Sequence, residues 1–147
     1  TLEVAWEHYP WGKLVKYRPR MDETWFCKEV AQTNKLELLK WAREEKKCKW
    51  DEGTITAAAH HGNLEMVKYC VANECRIGDF TCARAAENFH LECLKYLREE
   101  AKAPWDSSVL YFARANKHLE CLRYAVEKKC PGWKGYTERL KELEQSQ

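Results

Sequence analysis

The chain predicts an all-α array of four stacked helix-turn-helix units, and three observations predict it. First, one phrase recurs: His-Leu-Glu-Cys-Leu-Lys-Tyr at residues 90–96 returns as His-Leu-Glu-Cys-Leu-Arg-Tyr at residues 118–124. Looser copies stand at residues 34–41 and 62–69, so the anchor leucines Leu36, Leu64, Leu91 and Leu119 are spaced by 28, 27 and 28 residues. A fixed step of this size marks units that cannot bury an apolar face alone and therefore stack. Second, apolar residues recur within a copy at helical spacings of three and four, as in Leu64, Val67 and Val71. Third, a helix-stopping residue meets a helix-starting one midway through a unit, most clearly at Gly62 and Asn63.

In chain order, residues 1–22 come first. Pro10 and Pro19 bracket an amphipathic piece whose Leu14, Val15, Lys16 and Tyr17 echo a second helix, which makes an N-terminal cap. The same stretch mixes Trp6, Tyr9, Trp11 and Tyr17 with Arg18 and Arg20, which supports a docking arm instead. Both readings stay open. Residues 23–133 hold the four units, with helices expected at 24–33 and 36–46, 53–61 and 64–73, 80–88 and 91–100, and 107–116 and 119–128, and almost no strand.

The second unit shows why. A short helix with Ala57, Ala58 and Ala59 ends at Gly62, which is free to take positive φ. Asn63 then caps the second helix, and Glu65 in its first turn complements the positive end of the macrodipole. His90 and His118 occupy the Asn63 slot and read as structural capping residues. Six before the anchor stand Val30, Ala58, Ala85 and Ala113; the next slot holds Ala31, Ala59, Ala86 and then Arg114. Small residues there let adjacent first helices approach closely. Trp50, Gly78, Trp105 and Trp133 stand fourteen after the anchor, and Asp51, Asp79 and Asp106 follow the first three, placed to enter the next first helix at its favourable end. Residues 134–147 carry Tyr136, Leu140 and Leu143 on one side and charges elsewhere, a C-terminal capping helix.

The eight cysteines follow the repeat rather than a disulfide framework. Cys27 and Cys82 share a slot that holds Ile55 and Leu110 in the other units, so cysteine serves there as a small hydrophobe. Free thiols imply a reducing, intracellular compartment, the cytoplasm first and an organelle as the alternative. A net charge of +2 gives no support to nucleic-acid binding, and no apolar run is long enough for direct membrane insertion. No phosphate loop, nucleophile elbow or His-Glu-x-x-His is present, so no enzyme activity and no cofactor are expected. His60, His61, Cys70 and Cys75 mix zinc-compatible ligands but lack the paired close spacing of a structural site, so no metal is expected either.

Ala58-Ala59-His60-His61-Gly62-Asn63-Leu64-Glu65 resembles the ankyrin-repeat pattern A-A-x-x-G-[HN]-L-E, and His90-Leu91-Glu92 and His118-Leu119-Glu120 match its second half. The usual T-P-L-H stretch is replaced, and the step is shorter than the common period of about 33. This is similar to the compact ankyrin-like repeat of unicellular algae, other protists and large DNA viruses, whose typical ending Lys102-Ala103-Pro104-Trp105-Asp106 follows. The resemblance implies a right-handed α-solenoid of four ankyrin-like repeats with N- and C-terminal caps and no β-hairpin fingers. It also implies a non-catalytic module that binds another protein through the concave face of first helices and the loops before them. An accessory structural subunit of a larger complex, including an organellar one, is the alternative.

Residues that define a fold recur in such an array, and residues that define a partner vary. By that test the expected partner-binding residues are Gln32, Thr33, His60, His61, Glu87, Asn88, Tyr111 and Phe112. Ala58, Ala85, Leu91 and Leu119 are expected to be buried behind them. Tyr111 and Phe112 are the candidate hot spot, with contact to the C-terminal cap as the competing role.

Overall fold

Three of the four first helices start where a carboxylate can hold a free backbone N–H. In the computed structural model, which describes residues 22–115 and 119–147, Asp22 accepts from the Trp25 N–H at 3.0 Å, Asp51 from Gly53 at 2.8 Å and Asp106 from Ser108 at 2.8 Å. These caps open α1 (Glu23–Gln32), α3 (Glu52–His61) and α7 (Ser107–Arg114). The fourth, α5 (Thr81–Glu87), departs from expectation. Asp79 does not cap it; the chain enters through Phe80, and the Thr81 hydroxyl instead takes the Gly78 N–H at 3.2 Å. The helix is accordingly seven residues long against ten for α1 and α3.

The second helices are α2 (Leu36–Lys40), which widens into a π-helical turn over Trp41–Glu45, then α4 (Leu64–Ala72), α6 (Leu91–Glu99) and α8 (Glu120–Glu127). A 3-10 turn over Trp133–Tyr136 leads to α9 (Thr137–Gln145), where the capping helix was expected. No strand occurs among the described residues, and none of their helices is long and apolar enough to cross a membrane. The expected cap or arm at residues 1–21, and the slots of Asn116 and His118, lie outside the described residues.

Each of the three described turns within a unit holds one left-handed residue. Gly62 has φ 67°, and a Cβ there would lie 2.2 Å from His90 Nδ1, so only glycine meets both demands. Asn34 at φ 61° and Phe89 at φ 66° hold the same post in their units. Asn63 caps α4 as expected, accepting from the Met66 N–H at 3.1 Å. His90 does not cap α6: its Nε2–H donates instead to the carbonyl of His60 at 3.0 Å. The imidazole reaches across to the preceding unit because the space over Gly62 is open to it.

First helices pack on one another in the order α1, α3, α5, α7, and the alanines between them vanish from solvent: Ala58, Ala59, Ala85 and Ala86 are fully buried. Arg114, the break in that slot, is exposed at the last first helix. Leu119 is buried, but Leu91 is only half-buried, because as the first residue of α6 it stands beside the exposed turn.

A second period of 55 residues overlies the first. Arg43 stacks on Trp50 at 4.0 Å and donates to the Cys48 carbonyl; Arg98 stacks on Trp105 at 4.4 Å and donates to the Ala103 carbonyl. Trp50 meets Tyr69 edge-on at 6.2 Å, and Trp105 meets Tyr124 likewise at 6.2 Å. Tyr69 donates to Glu44 at 3.0 Å and Tyr124 to Glu99 at 2.9 Å. The first and second units are thus joined by the same cluster as the third and fourth. Between the second and third units Val71, Ala72 and Gly78 stand in the Arg, Glu and Trp slots. That middle seam is held at the turns instead, by His90 and by Asn88, whose amide donates to His60 Nδ1 at 3.0 Å.

All eight cysteines are free and buried. Cys48 donates to the Glu23 carbonyl at 3.1 Å, Cys75 to Asp51 at 3.3 Å and Cys130 to Asp106 at 3.2 Å, tying the end of the second helix to the start of the first in three of the units; the third carries Ala103 in that slot. Burial pushes the Cys82 and Cys130 thiols up to about 12, far from the reactive thiolate. Thiol titration of the native chain is therefore expected to be slow, with all eight reacting after denaturation; fewer than six would contradict the free state.

Thr54 is fully buried and its hydroxyl has no hydrogen-bond partner, while the fourth unit places Val109 in the same slot. Removing an unpaired buried hydroxyl without changing shape relieves its desolvation cost. Thr54→Val is expected to raise unfolding free energy by about 1 kcal/mol in urea denaturation.

Candidate functional site

A groove of about 540 Å³ runs along α3. Its floor is one stripe of that helix, Gly53, Thr56, Ala57 and His60, at spacings of three and four. Small residues keep the floor low. One wall is Lys28 and Gln32 from α1, four apart on one face; the other is Arg84 of α5 with the loop of residues 76–80 before it. The late start of α5 leaves this loop unwound, and Arg76, Asp79 and Phe80 line the groove from it. Thr56 and Thr81 tie floor to wall through their hydroxyls at 2.9 Å.

The eight residues picked out by sequence variation divide. Gln32 and His60 line the groove. His61 sits behind them on the turn, where its Nε2–H donates to the Gln32 side-chain oxygen at 2.9 Å and its ring meets His60 edge-on at 5.3 Å. Asn88 is held between His60 Nδ1 and the Arg84 carbonyl, both at 3.0 Å. Thr33 closes α1 through a bond to the Val30 carbonyl at 2.6 Å, and Glu87 pairs with Arg84 at 2.6 Å. Gln32, His61 and Asn88 therefore build the ridge that joins the turns.

Tyr111 and Phe112 lie beyond Arg84. The Arg84 guanidinium sits over the Phe112 ring at 5.6 Å, Phe112 meets Tyr111 edge-on at 5.4 Å, and Arg114 covers Tyr111 at 4.4 Å. Phe112 is half-buried against the core, but Tyr111 is 52% exposed, and Phe80, one helical turn before Arg84, is 58% exposed. The result is a chain of guanidinium and aromatic groups leading out of the groove.

Sequence reasoning missed Lys28, Arg76, Phe80 and Arg84. A signal lay in the repeat itself: Gly78 stands in the exit-loop slot that holds Trp50, Trp105 and Trp133 at the other three copies. The mixed His/Cys set does not form a metal centre, since Cys70 and Cys75 are buried while His60 is exposed; among the described residues no group of three or more candidate ligands could hold a metal ion.

His90 is a titratable group tied to the fold through the His60 carbonyl. Burial lowers its pKa from the ordinary value, the His60 carbonyl opposes that shift, and the neighbouring His60 and His61 rings reinforce it. Compared with protein-family models, with curated proteins and with solved structures, the chain finds no match.

A histidine whose folded pKa is depressed binds its proton more readily in the unfolded chain, so its contribution is present above about pH 6.5 and is lost as pH falls through that region. The urea midpoint is expected to drop between pH 7.5 and pH 5, and His90→Gln, which keeps an N–H donor, is expected to flatten that drop. An unchanged pH profile in the variant would remove His90 as its source.

Proposed function

We propose that this chain is a non-catalytic, ankyrin-like array that binds another protein through the face of its first helices. The observation that carries the reading is the exposed chain Phe80, Arg84, Phe112, Tyr111, Arg114 beside a groove floored by small residues. Arginine and large aromatics dominate protein-binding hot spots, since they bring much contact area with few rotatable bonds. The groove supplies the recess such anchors need nearby, and the ridge of His61, Asn88 and Gln32 holds its sides at fixed spacing. In an array that curves, this face is the concave one.

The test needs the native partner, isolated by proximity labelling in the source cell and then titrated as purified protein. Tyr111→Ala is expected to weaken binding by about 2 kcal/mol, roughly 30-fold, with helix content unchanged. Phe112→Ala is expected to lower both affinity and melting temperature, because its ring is half core. Unchanged affinity for Tyr111→Ala and for a Phe80→Ala variant would move the interface off this face.

A further inference from the structure

We infer that the groove along α3 receives an acidic segment of the partner, with one carboxylate side chain seated between Lys28 and Arg84; this rests on the protein-binding reading above. The two cations stand on opposite walls, one from α1 and one from α5, and the helix between them lines the groove with Thr56 and Ala57, flanked by Glu52 and Gly53 at its start and His60 at its end. Packed helices lie about 8–10 Å apart, so the outer two of three are separated by about twice that, and long side chains leaning inward narrow the gap. Lys28 does lean inward: a Cβ built on Gly53 would meet its Cδ at 3.3 Å, so its stem lies across the first turn of α3.

These cations retain free donors. Among the described residues Lys28 and Arg76 form no ion pair, although Lys28 shares a hollow with Asp22, Asp51 and Glu52. Arg84 gives one nitrogen to Glu87 and keeps the rest of its five-donor fork. The acids lining the groove, Glu52 and Asp79, both stand at the end where α3 and α5 begin, where helix N-termini already offset negative charge. Lys28 and Arg84 face the groove from its two walls. Phe80, one turn before Arg84 on the same wall, offers an apolar surface beside that position. The fitting ligand is thus an Asp or Glu within a residue or two of an apolar side chain that covers Phe80.

The experiment selects a phage-displayed library of random 12-residue peptides against the full chain, then titrates an enriched peptide by fluorescence anisotropy. Enriched peptides are expected to share a carboxylate next to an apolar residue. Lys28→Glu is expected to weaken binding at least tenfold and Arg84→Gln about fivefold, while Lys49→Glu, an exposed change outside the groove, leaves affinity unchanged. Raising NaCl from 50 to 500 mM should weaken it as well. Circular dichroism verifies the fold of each variant. Peptides without carboxylates that still respond to Phe80→Ala would overturn the acidic ligand and leave the protein-binding face standing. Binding indifferent to Lys28, Arg84 and Phe80, or no enrichment at all, would overturn both.

Discussion

Successive first helices touch through alanines, and that close approach is the constraint from which the rest follows. Ala58, Ala59, Ala85 and Ala86 are fully buried between neighbours, and any larger side chain there would force the helices apart against a close-packed interior. Once the helices are this close, each within-unit turn must be tight, which demands the left-handed residue found at Asn34, Gly62 and Phe89. Tight turns in turn bring His60, His61, Asn88 and His90 within hydrogen-bonding reach across units. The same smallness on the outer face of α3 leaves Thr56 and Ala57 as a low floor, so the groove is a by-product of how the array packs.

The 55-residue pattern divides that packing unevenly. Two junctions are locked by stacked Arg-Trp pairs and a Tyr-Glu bond, while the middle one relies on imidazole and amide contacts at the turns. Stacked aromatic and guanidinium groups bring both area and electrostatic attraction, whereas exposed neutral hydrogen bonds contribute about 1 kcal/mol each. The middle seam lacks that lock and adds the Thr56–Thr81 hydroxyl bond in its place, and the loop of residues 76–80 and the groove lie over it. Left-handed Phe89, costlier there than glycine by about 1–2 kcal/mol, sits at the same seam.

Much of the fold was legible because its signals are local and repeated. Leucine anchors at a near-constant step, Gly62 before Asn63, and aspartates after tryptophans each state one physical requirement several times, and helix bounds follow from them to within two residues. What escaped were features set by one unit alone. Asp79 looked like Asp51 and Asp106, yet the residue before it is Gly78 rather than tryptophan, and the helix began later. His90 looked like a cap by analogy with Asn63, but its ring fills the space over Gly62 and donates to the His60 carbonyl instead.

The site was less legible for a related reason. Variation between units flags residues that the scaffold does not fix, but it cannot separate a side chain held by its neighbour from one left open to solvent. His61 and Asn88 differ between units, and each is engaged by its neighbour, His61 by Gln32 and Asn88 by His60. Lys28 and Arg84 vary too, and only three dimensions show that they line one groove from opposite walls. A break in the repeat is thus informative in proportion to what it leaves unpaired. By that measure the third unit, with its late helix start, exposed Phe80 and Gly78 in the tryptophan slot before it, is where scaffold requirements relax most.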